Sequence, residues 1–220
     1  VCFLLDHGAD VNAYNNLPLR MASRHGHVDI MRLLLDHGAD VNTYCNEAMY
    51  HACENGHVDV VQVLVKYGAN VNAHSNLPLR FACKNVHVDV VQLLLNHGVN
   101  ASNKNEALCW ACEYGHMDVV QLLVNHGADV TWNNNEPLRF ACEYGHVDMV
   151  VFLVNHGADV NDFHNEPLRF ACEYGHVDVV RILLDHGADV NAHSNLPFRF
   201  ACIDGNVEIV QLLEIGRAHV

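Results

Sequence analysis

Residues 164–193 read HNEPLRFACEYGHVDVVRILLDHGADVNAH, and their apolar positions follow two helical patterns in turn. Leu168, Ala171 and Cys172 fall at i, i+3 and i+4, which predicts a short helix over 167–174 with one apolar face, ended by Gly175. From Val177 to His186 the apolar set Val177, Val179, Val180, Ile182, Leu183 and Leu184 is too wide for a helix that packs on one side only. The second helix must therefore be covered by neighbours before and after it. Gly187 supplies the left-handed residue that follows a helix end, and 188–193 form the loop to the next copy.

The same pattern fills the chain. The closing glycine returns at Gly8, Gly38, Gly68, Gly98, Gly127, Gly157 and Gly187, at spacings of 30, 30, 30, 29, 30 and 30. A fixed period of this size predicts an all-α solenoid of helix-turn-helix units, one elongated domain whose size is set by copy number. The copies run 15–44, 45–74, 75–103, 104–133, 134–163 and 164–193, after a partial copy over 1–14 and before a truncated one over 194–213. Residues 214–220 leave the pattern. The string EIGRAHV resembles the translation of a sequencing-library adapter, and Val1 starts inside a second helix, so the chain is read as a fragment of a longer array.

Several columns recur at fixed places in the unit. Asparagine opens each first helix at Asn16, Asn46, Asn76, Asn105, Asn135, Asn165 and Asn195, where it is expected to act as the N-cap. An acid (Asp29, Asp59, Asp89, Asp118, Asp148, Asp178, Glu208) opens each second helix, and His37, His97, His126, His156 and His186 close it. Val86 stands where other copies have glycine and is expected to be strained at positive φ. The 29-residue spacing comes from a loop shortened by one residue between Gly98 and Lys104, so the helical registers are kept and the stack is expected to continue through it. His51 and Trp110 replace phenylalanine in one column, which implies that the column is only partly buried.

The string PLRFACEYGHVDVVRILLDHGADVNA resembles the ankyrin repeat, whose pattern is TPLHxAAxxGHxxVVxxLLxxGADVN. The resemblance covers residues 1–213 and is specific, because seven copies carry it in register. The copies depart from the family in length, 30 residues against about 33, and in lacking the threonine and histidine of TPLH. Similar short units are typical of expanded families in large DNA viruses and some eukaryotic microbes. The resemblance implies a non-catalytic module, a scaffold that binds a protein partner on the concave face of the stack. In that arrangement the histidine after the glycine ties the turn between the helices.

Composition narrows the choice. A formal charge of −14 with 12 scattered Lys and Arg argues against nucleic acid and for a basic protein partner. No apolar run approaches the roughly 18 residues of a membrane span. Protonating the 18 histidines would more than offset the −14, so acidification could reverse the charge; the plainer account is that histidine fills two solvent-facing columns. Cys53, Cys83, Cys112, Cys142, Cys172 and Cys202 form one column, and neighbouring helices about 8–10 Å apart are too distant for disulfides. Reduced thiols point to an intracellular, cytoplasmic protein. The Cys172–His176 pair and its equivalents are a full copy apart and cannot converge on zinc. No metal, cofactor, small-molecule substrate or catalytic residue is expected.

What remains is a surface. The resemblance carries contact positions onto the loop tips Tyr14, Tyr44, His74, Asn103, Asn133, Phe163 and His193, and onto the pair of residues before each turn glycine. In the C-terminal half those pairs are Glu113 and Tyr114, Glu143 and Tyr144, Glu173 and Tyr174. This acidic and aromatic ladder, with Trp132 and Phe163 placed near it, is expected either to grip a basic peptide or helix or to be a solvated face copied by duplication. The arginines Arg20, Arg80, Arg139, Arg169 and Arg199 are expected to pair with acids of adjacent copies. A targeting arm of a larger enzyme or ubiquitin-ligase adaptor is the alternative function.

Overall fold

The computed structural model describes Leu5 and residues 7–218, without the side chains of residues 44, 45, 74, 75, 163, 164, 193 and 218. The described residues form helices and turns with no strand. Two compact units share the chain, 1–107 and 108–220. The first holds α1 (Ala13–Arg24), α2 (Val28–Asp36), α3 (Thr43–Glu54), α4 (Val58–Lys66), α5 (Ala73–Lys84) and α6 (Val88–Asn96). The unit boundary falls within α7 (Ala101–Tyr114). The second unit continues with α8 (Met117–Asn125), α9 (Trp132–Glu143), α10 (Val147–Asn155), α11 (Asp162–Glu173), α12 (Val177–Asp185), α13 (Ala192–Ile203) and α14 (Val207–Ala218).

Each unit has two layers. First helices pack on first helices, α1 on α3 on α5 and α9 on α11 on α13, while second helices pack as α2 on α4 on α6 and α10 on α12 on α14. The core lies between the layers and repeats with the sequence. In α12 the buried stripe is Val179, Val180 and Leu183, flanked by half-buried Val177, Ile182 and Leu184, the two-sided covering that the wide apolar pattern requires. Cys142 and Cys172 are fully buried, whereas Cys202, the same position in α13, is exposed because no described helix pair follows it. Burial here is a property of the neighbour as much as of the residue.

The phenylalanine column is half-buried at Phe81, Phe140, Phe170 and Phe200, as are His51 and Trp110. Beyond Leu213 the chain does not leave the fold at once. Helix α14 runs to Ala218, and the Arg217 guanidinium lies 4.3 Å from the centre of the Phe198 ring.

The asparagine column does something other than cap. The side-chain oxygens of Asn16, Asn46, Asn76 and Asn165, which would accept the cap bond, have no hydrogen-bond partner, and that of Asn135 accepts from Asp159. Asn16, Asn46, Asn76, Asn135 and Asn165 all have positive φ and are buried. At Tyr14–Asn16 and Asn133–Asn135 three successive residues are left-handed, so the chain makes one left-handed turn before the right-handed helix begins. Asparagine tolerates that conformation better than most residues, and its amide group then bonds the loop that closes its own copy. Asn16 Nδ2 donates to the Asp40 carbonyl at 2.7 Å, and Asn46 Nδ2 to the Asn70 carbonyl at 2.7 Å. Asn165 Nδ2 bonds the Asp189 carbonyl in the same way, and the Asp159 amide donates to Asn135 Oδ1 at 3.0 Å.

A second asparagine column closes the same junction. Asn42 Nδ2 donates to the Gly68 carbonyl at 3.1 Å while its Oδ1 accepts from the Asn70 amide at 3.1 Å. Asn161 repeats this with Gly187 at 2.9 Å and Asp189 at 2.8 Å. The closing loop of a copy thus has its peptide groups satisfied by one asparagine of its own copy and one of the copy before it. The short 29-residue copy dispenses with the left-handed turn. None of the described residues 101–114 has positive φ, and α7 runs as one right-handed helix. Asn76 Nδ2 accordingly donates to the Asn103 carbonyl instead, at 2.9 Å.

Two stability predictions follow from these backbone positions. Aspartate caps a helix as well as asparagine does but has no amide to donate, so Asn46→Asp is expected to cost about 1–3 kcal/mol in urea unfolding. A near-neutral result would restore the capping role. Val86 has a φ of 58° where its counterparts are glycine. Left-handed strain of about 1–2 kcal/mol, less the entropy cost of glycine, gives Val86→Gly an expected rise in melting temperature of about 2 °C.

Candidate functional site

The ladder lies wholly in the second unit and is built by the ends of first helices. Tyr114 is the last residue of α7, and Tyr144 and Tyr174 are the C-caps of α9 and α11. Their positions are set by the turn that follows. The Tyr144 amide donates to the Phe140 carbonyl at 3.0 Å, Gly145 turns left-handed, and the His146 amide returns to the Ala141 carbonyl at 2.9 Å. Gly145 is needed twice over, because a Cβ there would also lie 2.5 Å from Nδ1 of His176.

The histidine after each turn does not tie the turn of its own copy, as the resemblance implied, but the helix end of the copy before. His146 Nε2 donates to the Glu113 carbonyl at 3.1 Å, and His176 Nε2 to the Glu143 carbonyl at 2.8 Å. In the first unit His57 does the same with Arg24 and His87 with Glu54, both at 3.0 Å. A carbonyl can only accept, so Nε2 carries the proton in each. These bonds lock the ladder's backbone from copy to copy. The other histidine column caps second helices: Nδ1 of His37, His97, His126, His156 and His186 each donates four residues back at 2.8 Å.

The side chains of the ladder face solvent while resting on protein. Tyr114, Tyr144 and Tyr174 are 48%, 47% and 52% exposed, and Glu113, Glu143 and Glu173 are half-buried. The Tyr144 ring stacks on His146 at 6.3 Å between centres, and Tyr114 on His116 at 6.0 Å. Desolvation, then the carboxylates of Glu113 and Glu143 and the phenols of Tyr114 and Tyr174, push the Tyr144 hydroxyl above its ordinary pKa. In the first unit the equivalent positions are His25, Asn55 and Asn85, and Asn85 Nδ2 is spent on the Glu54 carbonyl at 2.9 Å. The aromatic surface belongs to the second unit alone among the described residues.

A charged cluster borders the ladder. Arg139 pairs with Glu166 of the next copy at 2.8 Å, as Arg20 pairs with Glu47 at 2.5 Å. Arg169 instead turns to its own copy, donating to Glu173 at 2.7 Å and Glu166 at 3.1 Å. Its guanidinium also lies 3.9 Å from the centre of the Phe170 ring, which stacks on Tyr174 at 6.3 Å. The sequence reading missed this cluster, although the i,i+4 spacing of Arg169 with Glu173 and of Phe170 with Tyr174 was the available signal.

The loop-tip candidates separate from the ladder. Trp132 and Phe163 are the first and second residues of α9 and α11, whereas Tyr144 and Tyr174 close those helices. About eight right-handed residues at 1.5 Å each put roughly 12 Å of helix between Trp132 and Tyr144, at opposite ends of α9. Trp132 is half-buried and Tyr14 is 84% exposed. Asn133 is exposed and donates to Glu136 at 3.0 Å. Asn103 is not a contact tip: it is buried, and its amide donates to Asn72 Oδ1 at 3.0 Å. The side chains of Tyr44, His74, Phe163 and His193 lie outside the described residues.

The buried cysteine column is held in its protonated form. Burial pushes the thiols of Cys53, Cys83, Cys112 and Cys142 far above their ordinary range, and that of Cys172 to about 12. A thiol so held is a small apolar group and a poor nucleophile. Among the described residues no three His, Cys, Asp or Glu side chains converge as a metal site would require. No helix is long and apolar enough to cross a membrane. Alkylation of the native protein at pH 8, mapped by peptide mass spectrometry, is expected to label Cys202 and spare Cys53, Cys83, Cys112, Cys142 and Cys172 until denaturant is added. Labelling of the column in native protein would refute its burial.

Comparison with known proteins bears on the whole surface. A family model described as ankyrin repeats (3 copies) matches residues 44–105, 79–164 and 160–218, and one described as ankyrin repeats (many copies) matches 19–65. The crystal structure of the human ASB11 ankyrin repeat domain superposes with a TM-score of 0.78 at 26% sequence identity, covering 90% of this chain and 97% of that one. Among curated proteins none matches in sequence.

Proposed function

The chain belongs to the ankyrin-repeat family, whose members generally bind protein partners, and from that premise we propose that it is a non-catalytic recognition module. Its contact surface is the Glu–Tyr column of the second unit. The observation that carries this reading is the exposure of three tyrosines, each about half accessible, held by backbone bonds at equivalent places on successive copies. Tyrosine offers a large contact area with only two side-chain torsions to immobilise, and it is enriched where binding energy concentrates. Alternate roles for these side chains are few, because none of the three is needed to fill the core.

The charge fits a basic partner. Glu113 and Glu143 lie beside the tyrosines with no ion pair among the described residues, in a chain of formal charge −14. Complementary charge speeds encounter and fixes register more than it adds affinity, so binding is expected to weaken as salt rises. Within the second unit the loop tips would add to the contact, with Asn133 as the exposed candidate.

The test is a pull-down with the intact chain as bait. A protein captured by the wild type is expected to be lost from the triple variant Tyr114→Ala, Tyr144→Ala, Tyr174→Ala. It is expected to be kept by Gln121→Ala with Asn125→Ala, which alters exposed residues of a second helix. Capture that survives the tyrosine changes would reject the column as the site.

A further inference from the structure

We propose that the Glu–Tyr column is a register-specific site for an extended, polyproline-II peptide carrying arginine at every third residue. The inference rests on the reading of that column as the contact surface and adds the spacing and conformation of what it takes.

The first ground is periodicity. One pair, Glu then Tyr, recurs at the same helix end on three successive copies. A ligand that uses all three must present the same chemistry at the spacing of the copies, about 8–10 Å for packed helices. A polyproline-II chain advances about 3.1 Å per residue and turns once in three, so every third side chain faces the same way at intervals of about 9.3 Å. A β-strand returns to one face every second residue, at about 6.6 Å and then about 13 Å, and misses the interval. An α-helix meets it at about 10.5 Å, but only with one residue in seven, so most of a folded helix would be ordered for few contacts. Aromatic-lined surfaces suit the polyproline form, which loses little entropy on binding.

The second ground is chemical. Glu113 and Glu143 make no ion pair among the described residues, and each lies next to an exposed tyrosine ring. The chain already shows what fills such a place. Arg169 sets its guanidinium 3.9 Å from the Phe170 ring centre while donating to Glu166 and Glu173. A guanidinium laid on Tyr114 or Tyr144 beside Glu113 or Glu143 would reproduce that arrangement. Arginine suits it better than lysine because its planar fork stacks and pairs at the same time. At Tyr174 the acid is already engaged, so the strongest steps are the first two.

Fluorescence anisotropy on the intact chain with labelled peptides tests this. The probe is (Arg-Pro-Pro)4, compared with a peptide of the same composition whose four arginines are contiguous, and with an alanine-rich helix bearing arginine at every seventh residue. The spaced peptide is expected to bind about tenfold or more tighter than either control. The triple tyrosine-to-alanine variant and Glu113→Gln with Glu143→Gln are each expected to weaken it about tenfold. The triple Tyr→Phe variant, which keeps the rings, is expected to bind as wild type. Equal affinity for spaced and contiguous arginines, both lost with the tyrosines, would overturn the register and leave the column as the site. Tighter binding of the helix would overturn the extended conformation. No binding of the spaced peptide would overturn the inference and leave the pull-down to judge the surface. Binding indifferent to the tyrosines would overturn both.

Discussion

Every helix pair in this chain is too small to bury its own apolar surface, and lateral covering by the next pair is the constraint on which the rest depends. The contrast between Cys172, fully buried, and Cys202, exposed at the same position, isolates the effect, because residue type and local structure are unchanged and only the neighbour differs. Stability in such an array is a sum of unit and interface contributions. The interface is therefore where side-chain choice matters most.

Lateral burial creates a polar problem that the two asparagine columns and one histidine column solve. A turn pressed between copies cannot have its peptide groups hydrated, and each one left unbonded would cost about 1–3 kcal/mol. Asn42 and Asn161 reach forward to the closing loop of the following copy, while His57, His87, His146 and His176 reach back to the preceding helix end. The bonds run in both directions across each interface, so a copy is held by side chains it does not own. The Glu–Tyr column inherits its order from this. Tyr144 points outward in a defined place because Gly145 and His146 on one side and His176 on the other fix the backbone around it.

Much of this was legible in the residues. The period, the helix pairs, the glycine turns, the strain at Val86 and the buried cysteine column follow from apolar spacing and from the few residues that tolerate positive φ. The ladder itself was legible, because Glu and Tyr stand before the same glycine in three copies. Asn16 was misread because asparagine serves equally at a cap and at a left-handed residue, and nothing local in the string separates them. Trp132 was placed near the tyrosines although it opens the helix that Tyr144 closes, because shared membership of a helix says nothing about which end a residue occupies. The Arg169 cluster was passed over because a repeated arginine invited one explanation for the whole column, whereas Arg139 pairs with the following copy and Arg169 with acids of its own.

The amino-acid order alone determined the fold family, the number of described helix pairs and the faces they bury, since these depend on patterns within one copy that repeat strictly. Only the tertiary structure decided where the amides of asparagine and the ring nitrogens of histidine find their acceptors, because the acceptors of Asn42 and His57 lie 26 and 33 residues away on another copy. It likewise decided that one deleted residue turns a left-handed tip into the continuous helix α7. The reason is common to both: a bond between copies is set by how the copies pack, and packing distances are not written in any single repeat.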